Sequence, residues 1–369
     1  MSEEAHALTA KAVAEIAPPV VDYFAPMPMS FAHPIALIGA GGIASAHLDA
    51  YRAAGFNVKV IASRTLAHAV ARRDAFFPDA EATDDVAGTL VRDDIAVADI
   101  TTHPEERAAL IETALRARKH VLSQKPYVLD VAIGERLVEL AEARGLILAV
   151  NQQGRWAPHL SFMREAVRAG LVGAVQSVHI AMHWDHSWVA GTAHDKVDDL
   201  ILYDFAIHWL DFLASLIGDS AISVYATRAR ASGQAPQPPM LAQALVAFPG
   251  GQAALLFDGA TRFGSRDRTI ITGTAGTLES TGPDLGHQQV TFTTAAGYSR
   301  PVLQGTWFND GFAGAMGALL RAIETGAPPL HNARDNLSSL KLAFAAIAAS
   351  HRGVPVVPGT VRSMAEAVG

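Results

Sequence analysis

Short apolar runs alternate with helical patterns over the first 150 residues of the chain. Pro104 suits the first turn of a helix, and Asp130 suits an N-cap. Regular alternation of strand and helix predicts an α/β fold with a parallel, doubly wound sheet covered on both faces. The predicted elements are strands at 35–38, 58–62, 95–100, 120–122 and 146–150, and helices at 104–116 and 130–144.

The pattern changes after Asn151, where apolar and polar positions alternate in runs joined by Gly and Pro turns such as 249–251. This texture indicates antiparallel pairing. We therefore predict two domains, 31–151 and 152–369, after an N-terminal extension at 1–30. The predicted elements are strands at 175–182, 221–231, 243–248, 252–257, 268–272 and 289–294, and helices at 158–168, 312–324 and 336–351.

The N-terminal extension carries acidic residues early and has no long apolar core, which is unlike a signal peptide. Residues 5–16 have the spacing of an amphipathic helix. The prolines that follow predict an extended arm, and they are Pro18, Pro19, Pro26 and Pro28. We interpret the extension as a packing or subunit-contact appendage and not as a catalytic part.

The strand at 35–38 leads directly into a glycine-rich turn and a helical pattern. Gly39, Gly41 and Ala44 fit the G-x-G-x-x-G/A spacing that binds a dinucleotide pyrophosphate at a helix N-terminus. A glycine-rich turn without a ligand is the alternative, and the flanking strand and helix argue against it. The cofactor contacts expected here are Gly39, Gly41, Gly42, Ile43 and Ala44.

The next strand ends at Ser63 and Arg64, where NAD-binding chains usually place an Asp or Glu that binds the ribose 2′-OH. A hydroxyl followed by a guanidinium suits a 2′-phosphate better than a bare ribose. The sequence therefore favours NADP and leaves NAD open. Alternatively, Arg64 only solvates the start of the following helix.

Composition limits the class of protein. The 369 residues are 50% apolar and 18% charged, with a net charge of −7, which argues against nucleic acid or an anionic membrane as a partner. The chain has no cysteine, which excludes disulfides, thiolate metal sites and a cysteine nucleophile. No apolar run reaches transmembrane length. We expect a soluble, cytoplasmic enzyme with a small-molecule substrate.

His208 is the candidate acid/base group on a predicted apolar helix at 200–217. Moving a hydride from an alcohol carbon leaves a hydroxyl proton to be removed, and a group that titrates near neutral pH does this best. Asp204 precedes His208 by four residues, so both are expected on one helix face, with the carboxylate orienting the imidazole. A surface ion pair without a catalytic role is the alternative.

Several motifs occur together in one order along the chain: the Gly39 turn, Gln124-Lys125-Pro126, Arg155, the Asp204/His208 pair and a closing 350–353 segment, Ser-His-Arg-Gly. In this respect residues 34–360 resemble the glucose–fructose oxidoreductase / inositol dehydrogenase (Gfo/Idh/MocA) family. The resemblance implies an N-terminal Rossmann domain and a C-terminal α/β domain with a large open mixed sheet. It also implies hydride transfer between NAD or NADP and a carbinol carbon of a sugar, cyclitol or derivative, in a homodimer or homotetramer.

The resemblance assigns roles to further residues. Lys125 would lie beside the reacting carbon, hold the substrate hydroxyl and sometimes take over proton transfer, with Asp204 orienting His208. The chain departs from the family at Gln124 (usually Glu), Arg107 (usually His) and Arg118 (usually Gly), and the two arginines are expected to lie away from the reacting centre. Further cofactor contacts are expected from Thr101, Thr102, His103, Gln124 and Lys125.

The region expected to face the substrate contributes aromatic and polar side chains that suit a sugar. Burial of two of the tryptophans in the core is an equally supported alternative. Histidines 179, 183, 186 and 194 raise the alternative of a metal site, but hydride transfer needs no metal, and none is expected. The substrate contacts are expected to be Lys125, Arg155, Trp156, Trp184, His186, Trp188, Asp204 and His208.

Two other functions stay open from the sequence. One is a sensor that binds a dinucleotide without catalysis. The presence of all three candidate catalytic residues, Lys125, Asp204 and His208, argues against it. The other is an enzyme of the same fold that keeps its cofactor bound and oxidises and re-reduces one substrate.

Overall fold

The structure is a computed structural model, and it describes residues 13–369. Its strands are β1 (Ile35–Ile38), β2 (Val58–Ala62), β3 (Glu81–Thr83), β4 (Val97–Ile100), β5 (His120–Gln124), β6 (Leu148–Asn151), β7 (Val175–His183), β8 (Ser223–Ala229), β9 (Leu241–Phe248), β10 (Gly251–Asp258), β11 (Arg266–Gly273), β12 (Gly276–Asp284), β13 (His287–Thr294) and β14 (Gly297–Ser299). Its helices are α1 (Ala44–Ala54), α2 (Leu66–Phe76), α3 (Val86–Val91), α4 (Pro104–Arg116), α5 (Val131–Ala143), α6 (Pro158–Arg168), α7 (Ile207–Ile217), α8 (Asn309–Thr325), α9 (Ala333–Arg352) and α10 (Met364–Val368).

The first six strands form a parallel sheet in the order β3-β2-β1-β4-β5-β6. The strand order reverses between β1 and β4, and the carboxyl ends of these two strands open a crevice where such sheets bind ligands. Strands β1, β4 and β6 are mainly apolar and wholly buried, because helices cover both faces of the sheet. The predicted Rossmann sheet is confirmed.

The other eight strands form a second sheet in the order β14-β13-β12-β11-β7-β10-β9-β8. All neighbours are antiparallel except β7 and β10, which run parallel, so the expected mixed sheet is also confirmed. One face packs on α9, where Val224 and Val246 join Phe344 in the main core. The opposite face exposes large apolar side chains on β8, β9 and β10, namely Tyr225, Leu245 and Leu256.

Helix α8 connects the two halves, although it comes late in the chain. Its residues Phe312 and Met316 lie in the same buried cluster as Leu37 of β1 and Leu48 of α1. The packed core therefore continues across residue 151, where the alternation of strand and helix stops. The predicted boundaries at 30/31 and 151/152 stay a prediction.

The helix expected at 200–217 has an irregular start. A π-helical turn at Ile201–Phe205 precedes α7, and the Ala206 N–H donates to the Ile201 carbonyl five residues back at 2.7 Å. The sequence pattern did not predict this turn, nor the short strands β3 and β14 or the strand β12. Among the described helices none is long and apolar enough to span a membrane.

The arm follows an extended path across both halves of the molecule. The Ile16 N–H donates to the Tyr298 carbonyl at 2.8 Å, beside the edge strand β14. The backbone N–H groups of Met29 and Ser30 donate to the Glu324 carboxylate of α8 at 2.8 and 2.7 Å. The helix predicted at 5–16 lies mostly outside the described residues, and its described end is extended.

Candidate active site

A cavity of about 540 Å³ opens at the carboxyl edge of the parallel sheet. Gly41 and Gly42 line it after β1, Thr101, Thr102 and His103 line it after β4, and Gln124 and Lys125 line it at the end of β5. Side chains from the second half of the chain close the opposite side, among them Asp204 and His208. The structure therefore brings the expected cofactor turn and the three expected catalytic residues around one space.

The glycine turn has the room that a dinucleotide needs. Gly39 has a left-handed φ of +104°, and a Cβ there would meet Thr102 Cγ2 at 3.0 Å. A Cβ at Gly41 or Gly42 would meet no protein atom within 4 Å. Helix α1 begins without a side-chain cap, so its first N–H groups are available to phosphates. The hydroxyl of Thr102 is buried and has no partner among the described residues.

Ser63 and Arg64 lie at the end of β2 as expected, but Arg64 already has a partner. Its guanidinium lies 2.6 Å from the carboxylate of Glu106, in the first turn of α4. Arg64 itself is largely exposed. A ribose 2′-phosphate would have to share Arg64 with Glu106 or displace Glu106 from it. This weakens the argument for NADP without removing it.

Lys125 and Asp204 form an ion pair inside the cavity. The Lys125 ammonium lies 3.1 Å from Asp204 Oδ1 and donates to the Asp204 carbonyl at 2.8 Å. Among the described residues no hydrogen bond joins Asp204 to His208, so the expected carboxylate–imidazole pair is wrong for this structure. The π turn explains the difference, because its wider winding breaks the four-residue repeat that would place both side chains on one helix face.

His208 is enclosed by apolar rings instead. Trp209 and Trp307 pack edge-on against its imidazole, and the amide nitrogen of Gln153 lies 3.5 Å from Nε2. The Nδ1 atom is buried and has no partner in the described part of the chain. Burial, with a smaller contribution from the Lys125 charge, holds the pKa of His208 well below its usual value near 6.5. The imidazole is therefore neutral at neutral pH, contrary to the expectation that it titrates there.

Two family models match the chain, one for the Gfo/Idh/MocA oxidoreductases with an NAD-binding Rossmann fold over residues 34–152 and one for their C-terminal domain over residues 161–279. A myo-inositol dehydrogenase of Streptomyces leeuwenhoekii is 30% identical over 72% of this chain and 80% of its own length. The chain belongs to the Gfo/Idh/MocA family.

A second relative and a solved structure are also similar to this chain. Inositol 2-dehydrogenase of Rhizobium meliloti is 29% identical over 84% of this chain and 94% of its own length. An oxidoreductase from Agrobacterium radiobacter, solved with NAD⁺, L-tartaric acid and magnesium, shares the fold with a TM-score of 0.80 at 20% identity, over 89% of this chain and 99% of that chain. The protein is thus an NAD-binding oxidoreductase of the group that acts on CH–OH groups.

Arg107 departs from the family pattern inside the site, not away from it. The side chain is buried and lines the cavity. Its guanidinium donates to the carbonyls of Thr102 and Gln124, the latter at 2.7 Å, and also to the Pro126 carbonyl. Burial lowers its pKa to about 10. Arg107 thus connects the loops that follow β4 and β5, and the expectation that it lies apart is wrong.

The two other departures also have local explanations. Arg118 has a φ of 62°, the left-handed conformation that the usual glycine of Gfo/Idh/MocA proteins adopts freely. The side-chain oxygen of Gln124 accepts a hydrogen bond from the Lys125 N–H at 2.7 Å, so it orients the backbone at Lys125. A glutamine can do this without adding charge beside the ammonium.

Aromatic rings form the wall that faces the sheet edge. The rings of Trp184 and His186 stack with centroids 5.5 Å apart, and Phe205 lies 4.5 Å from His186. Burial lowers the pKa of His186 to about 4, so it too is neutral. Trp188 lines the same cavity and is half-exposed. These three expected contacts therefore reach the site, although direct contact with a substrate stays a prediction.

Arg155 and Trp156 do not line the cavity, and their expected substrate contacts are wrong for this structure. Arg155 is buried and pairs with both carboxylate oxygens of Asp211, at 2.6 and 2.9 Å. Trp156 is buried beneath Arg164 and lines a separate apolar cavity beside the arm. Of the residues in the 3₁₀ turn Gln153–Trp156, Gln153 lines the site, whereas Arg155 and Trp156 are buried away from it.

Several cavity residues were missed by the sequence reasoning, among them four that lie near His208. Phe205 and Trp209 flank His208 and could have been found from the helix on which it lies. Gln153 and Trp307 come from a short turn and from the segment before α8, and no motif marks them. Trp307 stacks on Trp209 with ring centroids 6.0 Å apart, and a Cβ on Gly154 would meet it at 3.0 Å.

One group of potential metal ligands occurs among the described residues, and it lies outside this cavity. It consists of Asp198, Asp199 and His351. Arg228 lies 2.6 Å from Asp198 and 3.0 Å from Asp199, and His351 lies 3.0 Å from Asp199. The acidic charge is therefore already paired, and we interpret the group as an ion-pair network.

Proposed function

We propose that this protein transfers a hydride between a nicotinamide cofactor and a carbinol or carbonyl carbon of a sugar, cyclitol or sugar derivative. The observation that carries the proposal is the convergence of Lys125, Asp204 and His208 on the cavity that the glycine turn also lines. The names of the inositol dehydrogenase relatives support the substrate class.

The cofactor, when bound, supplies the hydride acceptor or donor. The neutral imidazole of His208 takes the hydroxyl proton during oxidation and returns it during reduction. The Lys125 ammonium donates to the substrate oxygen and stabilises negative charge that develops there. Asp204 fixes the position of that ammonium, a role that replaces the orientation of His208 expected from the sequence.

The aromatic wall suits a substrate whose ring has exposed C–H surfaces. Trp184 and Trp188 offer faces for stacking, while the polar groups Lys125, Asp204, Gln153 and His208 lie together. We infer that one edge of the ring is held by hydrogen bonds and its face by aromatic contact.

For the cofactor we propose NADP in preference to NAD, because Ser63 and Arg64 leave no carboxylate at the end of β2 to bind a ribose 2′-OH. The Arg64–Glu106 pair works against this preference.

We also propose a homodimer or homotetramer through the exposed face of the large sheet that carries Tyr225, Leu245 and Leu256. A cytoplasmic location stays a prediction.

The test is a screen of polyols, aldoses and sugar acids with both nicotinamide cofactors, followed by the absorbance of the reduced form. The proposal would be supported if the protein turns over a cyclitol or sugar and this turnover is lost in His208→Ala but kept in His179→Ala. His179 serves as the control because it is an exposed histidine on β7. Cofactor binding without turnover of any compound would favour the sensor. Cofactor that survives dialysis would favour internal redox.

A further inference from the structure

The second sheet holds a buried carboxyl group that the proposed reaction does not use. Asp267 of β11 is 3% exposed and lies opposite Met182 of β7 and Gly282 of β12. The flanking Arg266 and Arg268 are exposed and lie on the other face of the strand. No salt bridge to Asp267 occurs among residues 13–369. A buried carboxylate without a cation is costly, so its retention requires an explanation.

Asp267 lies behind the aromatic wall of the cavity. Trp184 lies two residues beyond Met182, the cross-strand neighbour of Asp267, and its indole N–H acts to lower the pKa of the Asp267 carboxyl. Neither Trp184 Nε1 nor Asp267 Oδ1 completes a hydrogen bond within the described part of the chain, although both atoms are buried. The backbone of Trp184 is held separately, because its N–H donates to the Asp258 carbonyl at 2.8 Å. The indole is thus the part of Trp184 that still needs a partner.

A second connection runs from Asp267 to the turn between β12 and β13. The Gln288 amide donates to Asp267 Oδ2 at 3.3 Å and to the Asp284 carbonyl at 2.6 Å. Ser280 fixes this amide by donating to its oxygen at 2.8 Å. The turn that follows Asp284 carries Leu285, which lines the catalytic cavity.

We propose that Asp267 is a positioning residue for the substrate cavity, which its carboxylate shapes by orienting Trp184 on one side and, through Gln288, the Leu285 turn on the other. The inference rests on the proposed function in so far as the cavity is taken to hold the substrate. Asp267 touches neither substrate nor cofactor and acts only through these two elements.

Protonation gives this role a measurable signature. Burial raises the pKa of Asp267 to about 7, the Asp284 charge acts in the same direction, and Trp184 acts against it. Above this pH the carboxylate accepts from the Gln288 amide and leaves its other oxygen as an acceptor for the Trp184 indole N–H, whereas below it one oxygen becomes a donor and an acceptor is lost. Other titratable groups near the wall include His287, which pairs with Asp284 at 2.8 Å, His186, whose pKa is about 4, and His194, whose ring packs edge-on against Trp188.

The first experiment needs no substrate. Intrinsic tryptophan fluorescence of the full chain is followed from pH 5 to 9, with the expectation of a transition near pH 7 that is absent in both Asp267→Asn and Trp184→Phe. Glu279→Gln serves as the control, because this carboxylate on β12 pairs with exposed Arg268 at 2.7 Å and should leave the transition unchanged. A transition that persists in Asp267→Asn, or in Trp184→Phe if the first variant does not fold, overturns the proposal.

The second experiment uses whichever polyol or sugar the screen identifies. KM in the unmodified protein should rise about fivefold as pH falls from 8 to 6, while kcat changes little, and Asp267→Asn should have a KM independent of pH. A KM that rises equally in Asp267→Asn overturns the role in shaping the cavity. A positive fluorescence result without turnover of any compound would count against the proposed function and not against Asp267.

Discussion

The two sides of the cavity are built in different ways. The cofactor edge consists of short segments that directly follow β1, β4 and β5, and its fit depends on backbone conformation and on small residues such as Gly39 and Gly41. The aromatic wall consists of large side chains from distant parts of the chain, including Trp184 and Trp307. We therefore expect changes at the edge to alter cofactor affinity and changes in the wall to alter turnover and substrate binding.

The largest expected effect tests the wall side of this comparison. His208→Ala should lower kcat by about two to four orders of magnitude and leave cofactor affinity nearly unchanged. Steady-state kinetics and a cofactor titration by tryptophan fluorescence would measure the two quantities. An equal loss of cofactor affinity would show that the division between edge and wall does not hold.

The pH dependence sharpens the assignment of the base. Because the pKa of His208 is lowered, the imidazole stays neutral above its usual value near 6.5, and the oxidation rate should be flat through neutrality and fall only at lower pH. The measurement is kcat for oxidation between pH 5 and 10. A limb that rises above neutrality, persists in His208→Ala and vanishes in Lys125→Met would make Lys125 the base.

Lys125 and Asp204 span the comparison, because the lysine follows β5 at the cofactor edge and the aspartate lies on the side of the wall. Asp204→Asn should lower kcat/KM by about 10- to 100-fold, the loss expected for one charged hydrogen bond. In a double-mutant cycle this loss should disappear in a Lys125→Met background. A loss that persists there would mean that Asp204 acts on His208, as the sequence pattern suggested.

Changes in the glycine turn test the edge. Gly39→Ala should weaken cofactor binding by about tenfold and lower the melting temperature, because the new Cβ meets Thr102 at 3.0 Å and the φ is left-handed. Gly42→Ala is the matched control, since its Cβ would have open space and the melting temperature should not change. Equal melting temperatures for the two variants would contradict the steric explanation.

The smallest expected effect concerns cofactor choice. Arg64→Ala should weaken NADP binding by about threefold to tenfold and affect NAD little, whereas Glu106→Gln should strengthen NADP binding by freeing the guanidinium. Titration of both cofactors against the three proteins would measure this. Tighter binding of NAD than NADP to the unmodified protein would refute the preference.

The same contrast explains which features the sequence could predict. The Gly39 turn and the strand ends could be located because each is a local motif next to a strong apolar run, and parallel strands bring their carboxyl ends to one edge. The pairing of Asp204 with Lys125 could not be predicted, because a single π turn changes which side chains face each other. Arg155 was misassigned because its buried partner Asp211 lies on a different helix, α7, and sequence separation hides such pairs.

The arm described above has a consequence for the order in which the protein can be completed. Tyr298 and Glu324, with which residues 16, 29 and 30 form hydrogen bonds, are synthesised long after these residues. The two ends of the described arm therefore stay without these hydrogen bonds until both later segments have been made. Tyr23, which lies between them, packs on Phe162 in the finished molecule and can gain this partner earlier.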